Sequence, residues 1–132
     1  MTDRLLPSPV GPNAEFYAFL GRGELRLQRC AVCGAWRHPP RHRCAACGAL
    51  DATWERASGG GRVFTWTVTH RPVDPAFETP YAVVVVELDE GPRLVGNVRG
   101  IALSDLALDL PVVVEIEPVS EAVGLLWFSP AP

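Results

Sequence analysis

All four cysteines of the chain fall between positions 30 and 47, as Cys30-x-x-Cys33-Gly34 and Cys44-x-x-Cys47-Gly48 with ten residues between the pairs. No other feature narrows the possible folds so far. Each Cys-x-x-Cys turn brings two sulfurs together on one tight loop, and two such turns supply the four ligands of a tetrahedral zinc. Gly34 and Gly48 stand directly after the pairs, where a side chain would obstruct the closing turn. A single pair could serve as a thioredoxin-like redox motif, but that motif opens a helix in a βαβ unit, and here both pairs lie in hairpin-like sequence. Cys30, Cys33, Cys44 and Cys47 are therefore expected to hold one structural Zn2+. The intervening loop is shorter than the about fifteen to twenty residues of common ribbons, which points to a compact rubredoxin-like finger. His38 and His42 lie inside that loop and are expected to be exposed rather than ligands, because four thiolates already close the site. A closed site leaves no position for an activated water, so a structural metal is expected rather than a catalytic one.

The chain has 132 residues, 48% apolar and 20% charged, enough for one packed domain or two very small ones. Its longest apolar run, Tyr81 to Val86, is far shorter than the ~20 residues of a membrane span, and the proline-broken start carries no secretory apolar stretch. A cytoplasmic protein without a membrane partner is expected. Charge is uneven: up to Arg62 there are nine Arg against five acids, and beyond it three Arg against ten. There is no Lys, so every fixed cation is a guanidinium suited to bidentate contact with phosphate or carboxylate.

Residues 1–12 carry three prolines and no periodicity, and read as an extended arm. A second unit spans 13–57. It begins with Phe16, Phe19 and Leu20 at helical spacing, stopped by Gly21 and Gly23, and a helix so short must dock on something. Leu25 and Leu27 then mark a strand that delivers the chain to Cys30. The third unit, 58–132, opens with a glycine-rich connection at Ser58 to Gly61. After it, Phe64, Trp66 and Val68 alternate with Thr65, Thr67 and Thr69 as a half-buried strand. Tyr81 to Leu88 is apolar on both faces and turns at Asp89-Glu90-Gly91-Pro92 into Arg93 to Val98. Ser104 caps a helical turn, Val112 to Glu117 alternates again, and Leu125 to Phe128 supplies a fifth strand. Five strands with a helical turn between the third and fourth fit an OB-type barrel. The fold expected is mainly β: short N-terminal helix, rubredoxin-like zinc ribbon, five-stranded OB-fold.

Other chemistry is sparse. His70 has Asp74 four residues on but no nucleophile motif nearby, and Ser58-Gly59-Gly60-Gly61-Arg62 lacks the Gly-Lys-Ser/Thr of a phosphate loop. No catalytic residue is proposed by the sequence.

Taken in order, "EFYAFLGRGELRLQRC", "CAVCGAWRHPPRHRCAACG", "GRVFTWTVTHRP" and "PYAVVVVELDEGPRLVGNVRG" resemble the acyl-CoA-associated OB-fold family with an N-terminal rubredoxin-like zinc ribbon, over about residues 13–128. The resemblance implies an accessory subunit of a thiolase-superfamily enzyme, including steroid side-chain aldolases, in a hetero-oligomer with two copies of each chain. It implies that the four cysteines are the zinc ligands, that acyl-CoA is a candidate at the shared interface, and that no catalytic set carries over. Phe16, Phe19, Tyr81, Trp127 and Phe128 are candidate partner contacts, and Arg37, Arg41 and Arg43 candidate contacts to CoA phosphates. The alternatives are a stand-alone acyl-CoA binder and a single-stranded nucleic-acid binder. Against the latter stands the acidic barrel half.

Overall fold

A computed structural model describes residues 5–132, so the first four residues of the expected arm lie outside it. Residues 5–10 are irregular, and helix α1 follows at Asn13–Gly21. At its start the Ala14 N–H donates to the Gly11 carbonyl at 3.1 Å, with no side-chain cap. A nine-residue helix without a cap is not stable alone, and α1 holds its place by burying Phe16 and Leu20.

Three short strands form the ribbon sheet, β1 at Arg26–Cys30, β2 at Trp36–Arg37 and β3 at Ala52–Arg56, in the antiparallel order β2-β1-β3. The barrel is built from β4 at Gly60–Thr69, β5 at Tyr81–Leu88, β6 at Arg93–Val98, β7 at Pro111–Pro118 and β8 at Gly124–Pro130. It closes in the order β4-β5-β6-β8-β7, with a 3-10 turn at Leu103–Asp105 between β6 and β7. All pairs are antiparallel except β6 with β8, where Asn97 faces Trp127 and Val98 faces Phe128. Inward positions follow the two-residue period of a half-buried sheet: Ala82, Val84, Val86 and Leu88 of β5 are all buried. Phe128 is fully enclosed at the centre. One continuous core joins these residues to Phe16, Leu20, Leu25 and Leu27, so helix, ribbon and barrel share an interior.

The structure departs from the sequence-based expectation in two places. Gly60 and Gly61 are not a free connection; they are the first rungs of β4 and pair with β7. Phe64 does not share the inward face with Trp66 and Val68. The register shifts between Val63 and Thr65, and this bulge turns Phe64 outward, where the Arg93 guanidinium covers its ring at 3.7 Å. The β5 face opposite the core, with Val83 and Val85, is half-buried. Among the described residues no helix is long and apolar enough to cross a membrane.

Helix α1 meets the β7–β8 turn backbone to backbone. A β-carbon on Gly124 would overlap the Leu20 carbonyl group and stand 2.8 Å from the Gly21 nitrogen; one on Gly21 would overlap the Ser120 carbonyl oxygen. No side chain fits at either position. Gly124→Ala is therefore expected to push α1 off the barrel and to lower stability by about 1–3 kcal/mol, the range of core overpacking. Thermal unfolding checks this, and a Tm equal to wild type would refute the contact.

Candidate functional site

Cys30 ends β1, and the knuckles around it and around Cys44 have the same backbone. The Gly34 N–H donates to the Cys30 carbonyl at 3.0 Å and the Gly48 N–H to the Cys44 carbonyl at 2.9 Å. Gly34 and Gly48 have φ of 77° and 79°, a conformation that side chains disfavour. An arginine clamps each turn from outside: Arg29 Nε donates to the Gly34 carbonyl at 2.9 Å, and Arg43 Nη1 to the Gly48 carbonyl at 2.7 Å. Gln28 steadies the connecting loop by accepting from the Arg41 N–H at 2.8 Å and donating to the Arg41 carbonyl at 3.0 Å.

The four sulfurs all lie within 4.8 Å of one another, with Cys30 to Cys47 at 3.6 Å and Cys33 to Cys44 at 3.7 Å. Zn–S bonds of about 2.3 Å in a tetrahedron separate the sulfurs by about 3.8 Å. The set therefore fits zinc, and none of the four is in a disulfide. One sulfur of each knuckle, Cys30 and Cys44, is buried, while Cys33 and Cys47 reach the surface. Backbone N–H groups of Cys33 and Val32 lower the Cys30 thiol to about 6. Amides of Cys47 and Ala46 lower Cys44 in the same way. The Ala49 amide pulls Cys47 down too, but the Cys30 sulfur beside it and its loss of water push it up to about 11. Four thiolates this close repel each other, and a divalent cation among them removes the repulsion. Zinc bound here acts as a cross-link. Cys30, Cys33, Cys44 and Cys47 would be its ligands, and they leave no fifth partner to react.

The structure does not gather the three candidate phosphate arginines into one surface group. Arg37 is only 8% exposed, and its guanidinium nitrogens are shut off from solvent with no hydrogen-bond partner. It cannot meet a phosphate at the surface. Arg43 is committed to Gly48, and Arg41 is exposed. Among the aromatic candidates, Phe16 and Phe128 are corrected to core residues, because burial leaves them no surface to offer. Phe19 is half-buried between Arg22 and Arg26, whose guanidiniums lie 4.8 Å and 5.5 Å from its ring. Trp127 is half-buried under Arg99 at 4.2 Å and donates from Nε1 to Glu117 at 3.2 Å. Tyr81 is half-buried beside Phe77, their ring centres 5.9 Å apart.

His38 is not the exposed loop residue its neighbours suggested. It packs on Phe16 with ring centres 4.9 Å apart, and burial depresses its imidazole to about 4. Only the tertiary contact with α1 reveals this. Because the unfolded chain takes up a proton near pH 6.5 that the folded chain refuses until about 4, His38 contributes full stability above that window and loses it as pH falls through it. His38→Phe is expected to flatten the fall in Tm across that range, and thermal melts at stepped pH check it. Metal analysis should find one zinc per chain. Cys44→Ala should lose the metal and melt at lower temperature, and acid should release zinc from wild type as protons compete for the thiolates. A chain that purifies metal-free, or with Cys30 in a disulfide, contradicts the assignment.

Comparison with known proteins agrees with this geometry. The family model described as the ChsH2 rubredoxin-like zinc ribbon domain matches residues 18–51, and the ChsH2 C-terminal OB-fold domain matches residues 54–117. The chain is 41% identical over 119 residues to a probable enoyl-CoA hydratase alpha subunit of Thermomonospora curvata, covering 90% of this chain and 37% of that protein. It is 35% identical over 106 residues to the 3-oxo-4,17-pregnadiene-20-carboxyl-CoA hydratase alpha subunit of Mycobacterium tuberculosis, covering 80% and 34%. The chain thus spans little more than a third of these two relatives. A DUF35 domain-containing scaffold protein of Methanocaldococcus jannaschii is 30% identical over 95 residues, 70% of this chain and 67% of the other. Among solved structures, a chain of the Ltp2-ChsH2(DUF35) aldolase superposes with a TM-score of 0.86 at 41% identity, covering 96% of this chain and 99% of that one. The chain belongs to the ChsH2 (DUF35) family, in which a rubredoxin-like zinc ribbon precedes an OB-fold.

Proposed function

We propose that this chain is a non-catalytic accessory subunit that binds and supports a thiolase-fold, lipid-transfer-type aldolase or thiolase acting on acyl-CoA thioesters, in the breakdown of steroid side chains. The observation that carries the reading is the likeness, along nearly its whole length, to a chain of an aldolase named for two components. The relative named as a scaffold protein supports the same role. The relatives named as hydratase subunits extend well beyond the match, and we assign the hydratase chemistry to their unmatched part. The side chains of this chain suit a scaffold: a four-thiolate metal site, arginines stacked on rings, and carboxylates such as Glu24 and Glu117 held in ion pairs. Phe19, Tyr81 and Trp127 are the half-exposed aromatic contacts proposed for the partner.

Co-expression with a thiolase-fold enzyme should give a stable hetero-oligomer of two chains of each kind, since a two-fold core presents each docking surface twice. Its interface should bury about 2,000 Å² or more. The purified chain alone should turn over no acyl-CoA thioester, and the enzyme should lose activity without it. Steady thioester or aldol cleavage by the isolated chain would overturn the reading. So would a monomer that ignores such enzymes and binds single-stranded oligonucleotides with steep salt dependence.

A further inference from the structure

Between α1 and the barrel lies an open cleft of about 550 Å³. Leu94 and Gly96 of β6 with Leu125 and Leu126 of β8 line it on the barrel side, and Tyr17 and Leu20 on the helix side. Residues 5–7 of the arm run along it, and His38 and Pro39 of the ribbon loop line it as well. All three parts of the molecule meet here. Leu5, Leu6 and Val95 line the cleft and yet are among the most exposed large apolar side chains described, Val95 at 61%. Apolar surface gathered around a concavity in this way marks a site that another molecule covers.

The polar groups at the cleft favour a protein segment over a small molecule. Small-molecule sites orient their ligand with a few directed polar groups. Here the Asn97 amide already donates to the Ala82 carbonyl at 2.8 Å, which leaves the Arg93 guanidinium as the one fixed charge among the described lining residues. Charge supplies a second constraint. Glu87 is shared by Arg62 at 3.6 Å and Arg93 at 3.5 Å, so two guanidiniums face one carboxylate beside the cleft. Among the described residues no acid lines it. The surplus there is positive.

We propose that this cleft receives an apolar segment of the partner enzyme that carries a carboxylate beside its apolar side chains, the carboxylate meeting Arg93. This rests on the accessory-subunit reading and names the surface that serves it. The apolar residues fill the space between Leu6, Tyr17 and Val95, and the carboxylate completes the charge count at Arg62, Glu87 and Arg93. Because the arm, helix and ribbon loop all line the cleft, a segment seated in it touches both halves of the chain at once.

The test is a titration of the thiolase-fold enzyme with the full zinc-loaded chain and its variants. Val95→Asp and Leu6→Asp change exposed side chains, so each should keep the wild-type Tm while weakening assembly at least about tenfold. Arg93→Glu should slow association most at low salt. Val73→Asp, at a residue 88% exposed and absent from the cleft, should assemble as wild type does. If wild type binds the enzyme and Val95→Asp binds equally well, the cleft assignment is overturned while the accessory reading stands. If wild type does not bind, both fall. If wild type instead pairs with itself and Val95→Asp does not, the occupant is a second copy of this chain and the proposal is wrong.

Discussion

The N-terminal half of this molecule depends on four sulfurs. Its sheet has strands of five, two and five residues, and its helix has nine. A unit that small buries too little apolar surface to offset the entropy of ordering its loops. Zinc binding substitutes for the missing core, because the site exists only in the folded ribbon and its binding free energy is folding free energy. Arg29 and Arg43 show how closely the knuckles are specified, each guanidinium holding the carbonyl of the glycine that closes its turn. With the ribbon fixed, β1 and the residues before it are placed, and α1 has a frame from which to reach the barrel.

How much of this could be read from the sequence follows from how local each signal is. The zinc ligands are spaced within two tight turns, so spacing alone revealed them. The barrel order was also legible, because the apolar run of β5, the alternation along β7 and the turn at Asp89 to Pro92 are short-range patterns. Phe64 was misread because a bulge is a mismatch between two strands and leaves no mark in one of them. Strand β3 was missed since Ala52 and Trp54 are its only apolar residues, and its pairing with β1 and the packing of Trp54 on Phe19 are tertiary. His38, Phe16 and Phe128 looked available until the other elements were packed around them. Arg37 reads as a surface cation in any sequence and is enclosed here. Gly124 gave no signal, because its constraint comes from a helix far away in the chain.

The arginines divide by role. Arg29 and Arg43 brace the metal knuckles, Arg22, Arg26, Arg93 and Arg99 lie on rings, and Glu24, Glu87 and Glu117 tie several of them in place. A flat guanidinium over a ring covers apolar area and keeps its edge in water. An ammonium has no flat face to lay on a ring, which gives the absence of lysine a structural sense beside any compositional one. Phe64, Phe19 and Trp127 stay half-covered in the free chain as a result.

The contact of Gly21 with Gly124 also imposes an order in time. The two residues are more than a hundred positions apart, and the turn holding Gly124 belongs to the last strand pair of the barrel. The knuckles lie within a span of about twenty residues, so metal capture has little loop to close and can run early. Helix α1, made before either, can meet the ribbon early through Phe16 and His38, but its seat on the barrel does not exist until β7 and β8 have joined. Contacts of such separation slow the final step of folding. The first helix of the chain is thus among the last elements to find its final place, and until it does Leu20 stays in water, open to any chaperone or partner that meets the nascent barrel first.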